Sequence, residues 1–138
     1  MRADLLDVLV VSVGDDQMAI GLSSISAIIR APVITPLPRA VPPVLGVTVS
    51  RGRALTVFTL GGKPPVPGPE QRVLVIGDGR RVTIGLLVDA VNDTRAVARS
   101  ALVPVAIGAL RTAMLGMTQD ALPIVDVDAL LQGAQAMP

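Results

Sequence analysis

The chain contains no cysteine and no histidine. Without cysteine there is no disulfide framework and no thiolate chemistry. Without histidine the commonest general base, the commonest zinc ligand and the usual phospho-acceptor of two-component relays are all missing. Tryptophan and tyrosine are absent as well, and Phe58 is the only aromatic residue. A single ring makes no stacking platform for bases. A net charge of +1, from 12 basic and 11 acidic residues, makes no phosphate-binding face. The composition therefore argues against nucleic acid as a partner. No run of 18 or more apolar residues occurs, because Gly, Pro or a charge interrupts each one, so no transmembrane helix is expected. Asp4 and Asp7 break the first apolar segment, and a secretory leader needs an uncharged one. These features predict a cytoplasmic protein with no direct membrane insertion.

What the chain does have is apolar substance. Hydrophobic residues make up 51% of its 138 residues and charged ones only 17%, which excludes a disordered chain and allows a real core. Mean hydropathy is +0.64. The apolar runs are short, β-branched and bounded by turn residues, the pattern of strands. Expected strands are Val8 to Val13, Met18 to Leu22, Ile25 to Arg30, Val44 to Val49, Arg53 to Leu60, Val73 to Ile76, Val82 to Val88, Ala90 to Val97, Met114 to Thr118 and Leu122 to Val127. Gly14-Asp15-Asp16, Ser50-Arg51-Gly52 and Gly77-Asp78-Gly79-Arg80 read as hairpin turns between neighbouring strands. Helix signals are weak: a short C-terminal segment from Asp126 or Asp128 to Gln132, stopped by Gly133, and a fainter one from Val103 to Ala109.

Two proline-rich segments separate these runs. Pro32 to Pro43 carries five prolines and Gly61 to Pro69 carries four, so neither forms a central strand. The second lies near mid-chain and reads as a linker between two halves. The halves resemble each other. Val8-Leu9-Val10-Val11 matches Val73-Leu74-Val75-Ile76, and Ile20-Gly21-Leu22 matches Ile84-Gly85-Leu86. Gly46-Val47-Thr48 is echoed by Gly116-Met117-Thr118, and Leu55-Thr56-Val57 by Pro123-Ile124-Val125. Order and spacing agree at each place, which points to one β-unit of about 65 residues used twice. Apolar strands with glycine turns also look alike by chance, and that reading stays open.

Four segments resemble the CheW family of chemotaxis coupling proteins. Gly46-Val47-Thr48-Val49-Ser50-Arg51-Gly52-Arg53 is similar to its strand ending in an Arg-Gly turn, with Ile34-Thr35-Pro36-Leu37-Pro38 as the proline-rich link before it. Ile84-Gly85-Leu86-Leu87-Val88-Asp89-Ala90-Val91 resembles its second-half motif, and Ile124-Val125-Asp126-Val127-Asp128-Ala129-Leu130-Leu131 its C-terminal one. The resemblance runs in order from about Asp7 to Leu131. It implies an all-β fold: two five-stranded SH3-like β-barrel subdomains sharing a hydrophobic core, with a short C-terminal helix. The chain is then one domain, 1–138, with a first barrel over about residues 7–62 and a second over about 70–131, strand exchange between them being allowed. The implied function is a non-catalytic adaptor in bacterial chemosensory signalling. Its implied partners are the cytoplasmic helical tip of a chemoreceptor and the regulatory barrel domain of a CheA-type histidine kinase. No cofactor, metal or catalytic residue is expected.

Arg51 is the leading candidate for partner contact. A guanidinium at a strand end offers a rigid fork of donors suited to a carboxylate or to backbone carbonyls, and the resemblance puts this arginine in the receptor-binding region. Gly52 supplies a turn conformation closed to other residues. Gly46, Val47 and Val49 lead to that turn, and Ile25, Ile28 and Val44 extend an apolar strip suited to a docked helix. Core packing is the competing role for each of these apolar residues. Asp15-Asp16, Asp126 and Asp128 fit a turn and a helix cap, and Asp89 is expected to bond local backbone. No phosphate-cradling glycine loop accompanies them, so no enzyme is expected.

The chain departs from its family at four places: Ala27 where many relatives carry an acid, Val49 where they have Asn, and Thr56 and Thr59 in a usual Pro-x-x-Asp. These changes put binding of one partner in doubt. Two alternatives follow. One is an accessory protein that binds the receptor only, in a gliding-motility or alternative chemosensory pathway. The other, from a different class, is a barrel that binds a small molecule or peptide. Exposed strand edges and the apolar composition also permit self-association.

Overall fold

The computed structural model describes residues 4–30, 32–37, 44–59, 68–77, 83–103, 114–128 and 131. Among the described residues eleven strands form two sheets. In chain order they are β1 (Leu5–Val13), β2 (Asp16–Gly21), β3 (Ile25–Arg30), β4 (Thr35–Pro36), β5 (Val44–Ser50), β6 (Arg53–Phe58), β7 (Arg72–Gly77), β8 (Thr83–Val88), β9 (Ala90–Ala98), β10 (Met114–Met117) and β11 (Pro123–Val125). Single turns of 3-10 helix at Leu22–Ser24 and Arg99–Ala101 follow β2 and β9. The all-β expectation holds, and the ten expected strands are all present. Leu60 and Val82, expected at strand ends, lie outside the described residues.

Each sheet takes strands from both halves of the sequence. One has the order β10-β11-β2-β1-β9, the other β3-β7-β8-β6-β5-β4. The third strand of each half pairs with the first strand of the other: β3 with β7, and β9 with β1. Irregularities recur in matched places too. Ser26 is the unpaired residue of a bulge on β3, and Asn92 of one on β9. Leu45 bulges from β5 and Leu115 from β10. A β-bulge bends its strand and tightens the twist, so each pair curls its sheet at a corresponding point.

Burial explains the apolar runs. Leu9, Val11, Val13, Met18 and Ile20 of one sheet pack with Phe58, Leu74, Ile76, Ile84, Leu86 and Val88 of the other in a shared core. The opposite faces of the same strands fill separate cores. Val8, Val10 and Ala19 join Ile124 behind the first sheet. Val73, Val75 and Leu87 join Leu55 and Val57 behind the second. Strands buried on both faces lose the polar alternation of a half-exposed strand. Hence Val8-Leu9-Val10-Val11 and Ile84-Gly85-Leu86-Leu87-Val88 read as unbroken hydrophobic segments.

Three expectations need amendment. Thr35–Pro36, expected as loop, pairs with Val47 and Gly46 of β5. It does so at a sheet edge, where a proline's missing N–H costs no ladder bond. The Val103 to Ala109 helix signal begins at a lone bridge between Val103 and Met117, and residues 104–110 lie outside the described residues. The expected C-terminal helix lies largely outside them as well; Val127, Asp128 and Leu131 take helical conformation. No helix among the described residues is long and apolar enough to cross a membrane.

Candidate functional site

The β5–β6 hairpin is closed by two residues, since Ser50 pairs with Arg53. Both loop residues have positive φ, 53° at Arg51 and 78° at Gly52. Successive positive φ values match the type I′ turn, whose twist suits the flanking strands. Glycine adopts this freely; arginine does so at a cost. The β1–β2 hairpin is built differently: Val13 pairs with Asp16, and only Gly14 has positive φ.

Beside the Arg51 turn lies an open groove of about 510 Å³. Its walls come from five strands and the turn: Ser26 and Ala27 of β3, Ser50 of β5, Arg53, Ala54 and Leu55 of β6, Val75 of β7, Thr83 of β8, and Arg51 of the turn. Leu55 and Val75, its buried lining residues, make the floor apolar, and the exposed Arg51 and Arg53 line it as well. Among the described residues neither arginine forms an ion pair, and no lining residue is acidic.

The other half arranges its corresponding elements differently. There Arg95 of β9 reaches Asp120, on the loop between β10 and β11, at 3.1 Å. Thr118 donates its hydroxyl to the same carboxylate. Asp120 is held below its ordinary value, chiefly by the Thr118 hydroxyl; desolvation opposes this, and the loop backbone and Arg95 add smaller lowering effects. Third strand and last hairpin are thus tied together in one half and separated by a groove in the other.

The eight candidate residues divide by position. Arg51 lines the groove and Gly52 shares its turn. Val49 is 67% exposed and Ile28 44%, large apolar side chains facing solvent. Val47 is half-buried on β5. Ile25 and Val44 pack against the shared core. Gly46 is buried under β4. A Cβ there would lie inside contact distance of the Thr35 carbonyl oxygen, 2.9 Å from its carbon and 3.0 Å from the Pro36 Cα. Its glycine therefore serves the close approach of β4. Arg53, Ala54, Leu55, Val75 and Thr83 were not singled out from the sequence.

Asp89 does not bond local backbone. One carboxylate oxygen accepts the Gly14 N–H at 2.6 Å across the two halves, and the Asp89 N–H donates to the Ser12 carbonyl at 2.8 Å. This carboxylate fastens the β1–β2 turn to the crossing from β8 to β9. Among the described residues no group of three acidic side chains is placed to hold a metal ion.

Comparison with known proteins gives concordant matches. The family model for the CheW-like domain matches residues 7–135. Protein FrzA of Myxococcus xanthus is 30% identical over 135 residues, covering 89% of this chain and 83% of FrzA. A protein of Rhizobium etli described as a probable chemotaxis protein CheW is 31% identical over 84 residues, 59% of this chain, and the chain spans about half (54%) of that relative's length. The crystal structure of the scaffolding protein TtCheW from Thermoanaerobacter tengcongensis superposes with a TM-score of 0.74 at 18% identity, covering 87% of this chain and 83% of that one, which establishes the shared fold. The chain belongs to the CheW-like domain family.

Proposed function

We propose that this chain is a non-catalytic adaptor that couples chemoreceptors to a CheA-type histidine kinase, with the Arg51 groove as its receptor contact. The observation that carries the reading is Arg51 itself. It occupies a backbone conformation unfavourable to any residue but glycine, pairs with nothing among the described residues, and lines an open groove with an apolar floor. A side chain that costs the fold something and returns no internal contact is consistent with selection for an external one. Val49 and Ile28 add exposed apolar surface on strands bordering the groove. A docked helix needs such a strip beside a polar anchor. The groove's openness suits a helix better than an enclosed small molecule.

The departures at Ala27, Val49, Thr56 and Thr59 favour a second reading, an accessory that binds the receptor alone. One experiment separates the two. The purified chain is titrated separately with a cognate receptor cytoplasmic fragment and with the kinase's regulatory barrel domain, then again as Arg51→Ala. Binding to both, with loss of the receptor alone in the variant, supports the bridging adaptor. Binding to the receptor alone supports the accessory. Binding to neither removes the chemosensory coupling role.

A further inference from the structure

The two halves handle charge in opposite ways. On the Asp120 side a carboxylate of the chain's own meets Arg95 between the third strand and the last hairpin. On the Arg51 side the same two elements carry Ala27 on the strand and two arginines on the hairpin, and among the described residues no carboxylate lines the space between. Ala27 is half-buried and packs on the Leu55–Val57–Val73 core, so its methyl leaves the adjoining room unfilled.

We infer that Arg51 and Arg53 together receive a carboxylate from the partner, so that the bound segment must present an Asp or Glu opposite Ala27. The inference rests on the proposed receptor groove and specifies which chemistry that groove selects. Arginine's planar fork matches a carboxylate in two-pronged geometry, and such charge-assisted bonds are shorter and stronger than neutral ones. Two cationic side chains lining one groove both gain from a bound anion. The apolar floor, with Leu55 and Val75, takes the segment's aliphatic side chains while the rim fixes its register.

The test titrates the full chain with the cognate receptor cytoplasmic fragment at low and high salt. Four proteins are compared: the unaltered chain, Ala27→Glu, Ala27→Gln and Arg53→Gln. Ala27→Glu supplies the carboxylate internally and is expected to weaken binding about tenfold, the low end for a charge-assisted hydrogen bond at an open site. Ala27→Gln adds the same bulk without charge and is expected to weaken binding less than Ala27→Glu, the gap between the two variants reading the charge alone. Arg53→Gln leaves Ala27 untouched and is expected to weaken binding and flatten its salt dependence. Thermal melts of all four identify any variant that fails to fold. Equal weakening by Ala27→Glu and Ala27→Gln overturns the carboxylate, and so does unchanged affinity in Arg53→Gln; in both cases the receptor groove itself survives. If the unaltered chain fails to bind at any salt, the receptor reading falls and takes this inference with it.

Discussion

Arg51 allows stability and binding to be pulled apart by a single residue. Its φ of 53° belongs to the left-handed region, and the following Gly52 continues it at 78°. For a side-chain-bearing residue that conformation costs about 1–2 kcal/mol relative to right-handed backbone. Glycine removes the cost but loses about 0.4–1 kcal/mol through the greater freedom of its unfolded chain. Arg51→Gly should therefore raise stability by roughly 0–1.6 kcal/mol, or up to about 6 °C in Tm for a domain of this size. Arg51→Ala keeps the strained backbone and should leave Tm within about 1 °C, because the guanidinium contacts nothing that stabilises the fold. Both substitutions remove the same donor fork, and both should weaken receptor-fragment binding equally, by tenfold or more on the order expected for a charge-assisted contact. Differential scanning calorimetry and titration calorimetry read the two quantities on the same samples. If Arg51→Ala costs more than about 1 kcal/mol of stability, the arginine supports the fold and the argument from its idle side chain collapses. If both variants bind as the unaltered chain does, the groove is not the contact surface.

Three further outcomes follow from the packing. Gly46→Ala drives a methyl into the backbone of β4 and should destabilise by about 1–3 kcal/mol, read as a lower denaturation midpoint with an unchanged m-value. Leu74→Ala, at a fully buried position of the shared core, should cost about 2–5 kcal/mol, and near-ultraviolet signal from Phe58 and far-ultraviolet strand signal should still melt together. The Asp120 carboxylate should titrate below an unpaired aspartate in a carboxyl NMR experiment, and Thr118→Val should move its midpoint up toward the ordinary value. Because the folded pKa is the lowered one, its contribution to stability is present above the unfolded pKa and disappears as pH falls through the folded one.

The sequence revealed strands more readily than their partners. Val73 to Ile76 and Ile84 to Val88 were legible because strands covered on both faces are apolar throughout and end sharply at turns. Nothing in such a run says which strand lies beside it, so the reciprocal pairing of β3 with β7 and β9 with β1 emerges only in three dimensions. Thr35–Pro36 escaped notice because two residues carry no periodicity, and proline argues against a strand everywhere except at an edge. Arg51 and Gly52 were readable as a turn from local chemistry alone. The groove around them was not, since Ala27, Val75 and Thr83 reach it from distant strands. Asp89 shows the same limit: its motif was plain, its bond to Gly14 remote.

The trading of third strands has a mechanical consequence. Neither half owns a complete sheet, so the chain cannot bend at its middle without breaking both ladders at once. A densely packed interior shared by both sheets adds stiffness, because such interiors barely compress. Whatever sits at the Arg51 rim and whatever sits on the opposite sheet are held at a fixed separation and angle. For the adaptor proposed above, a ruler of constant length is a way to pass position from one neighbour to the next.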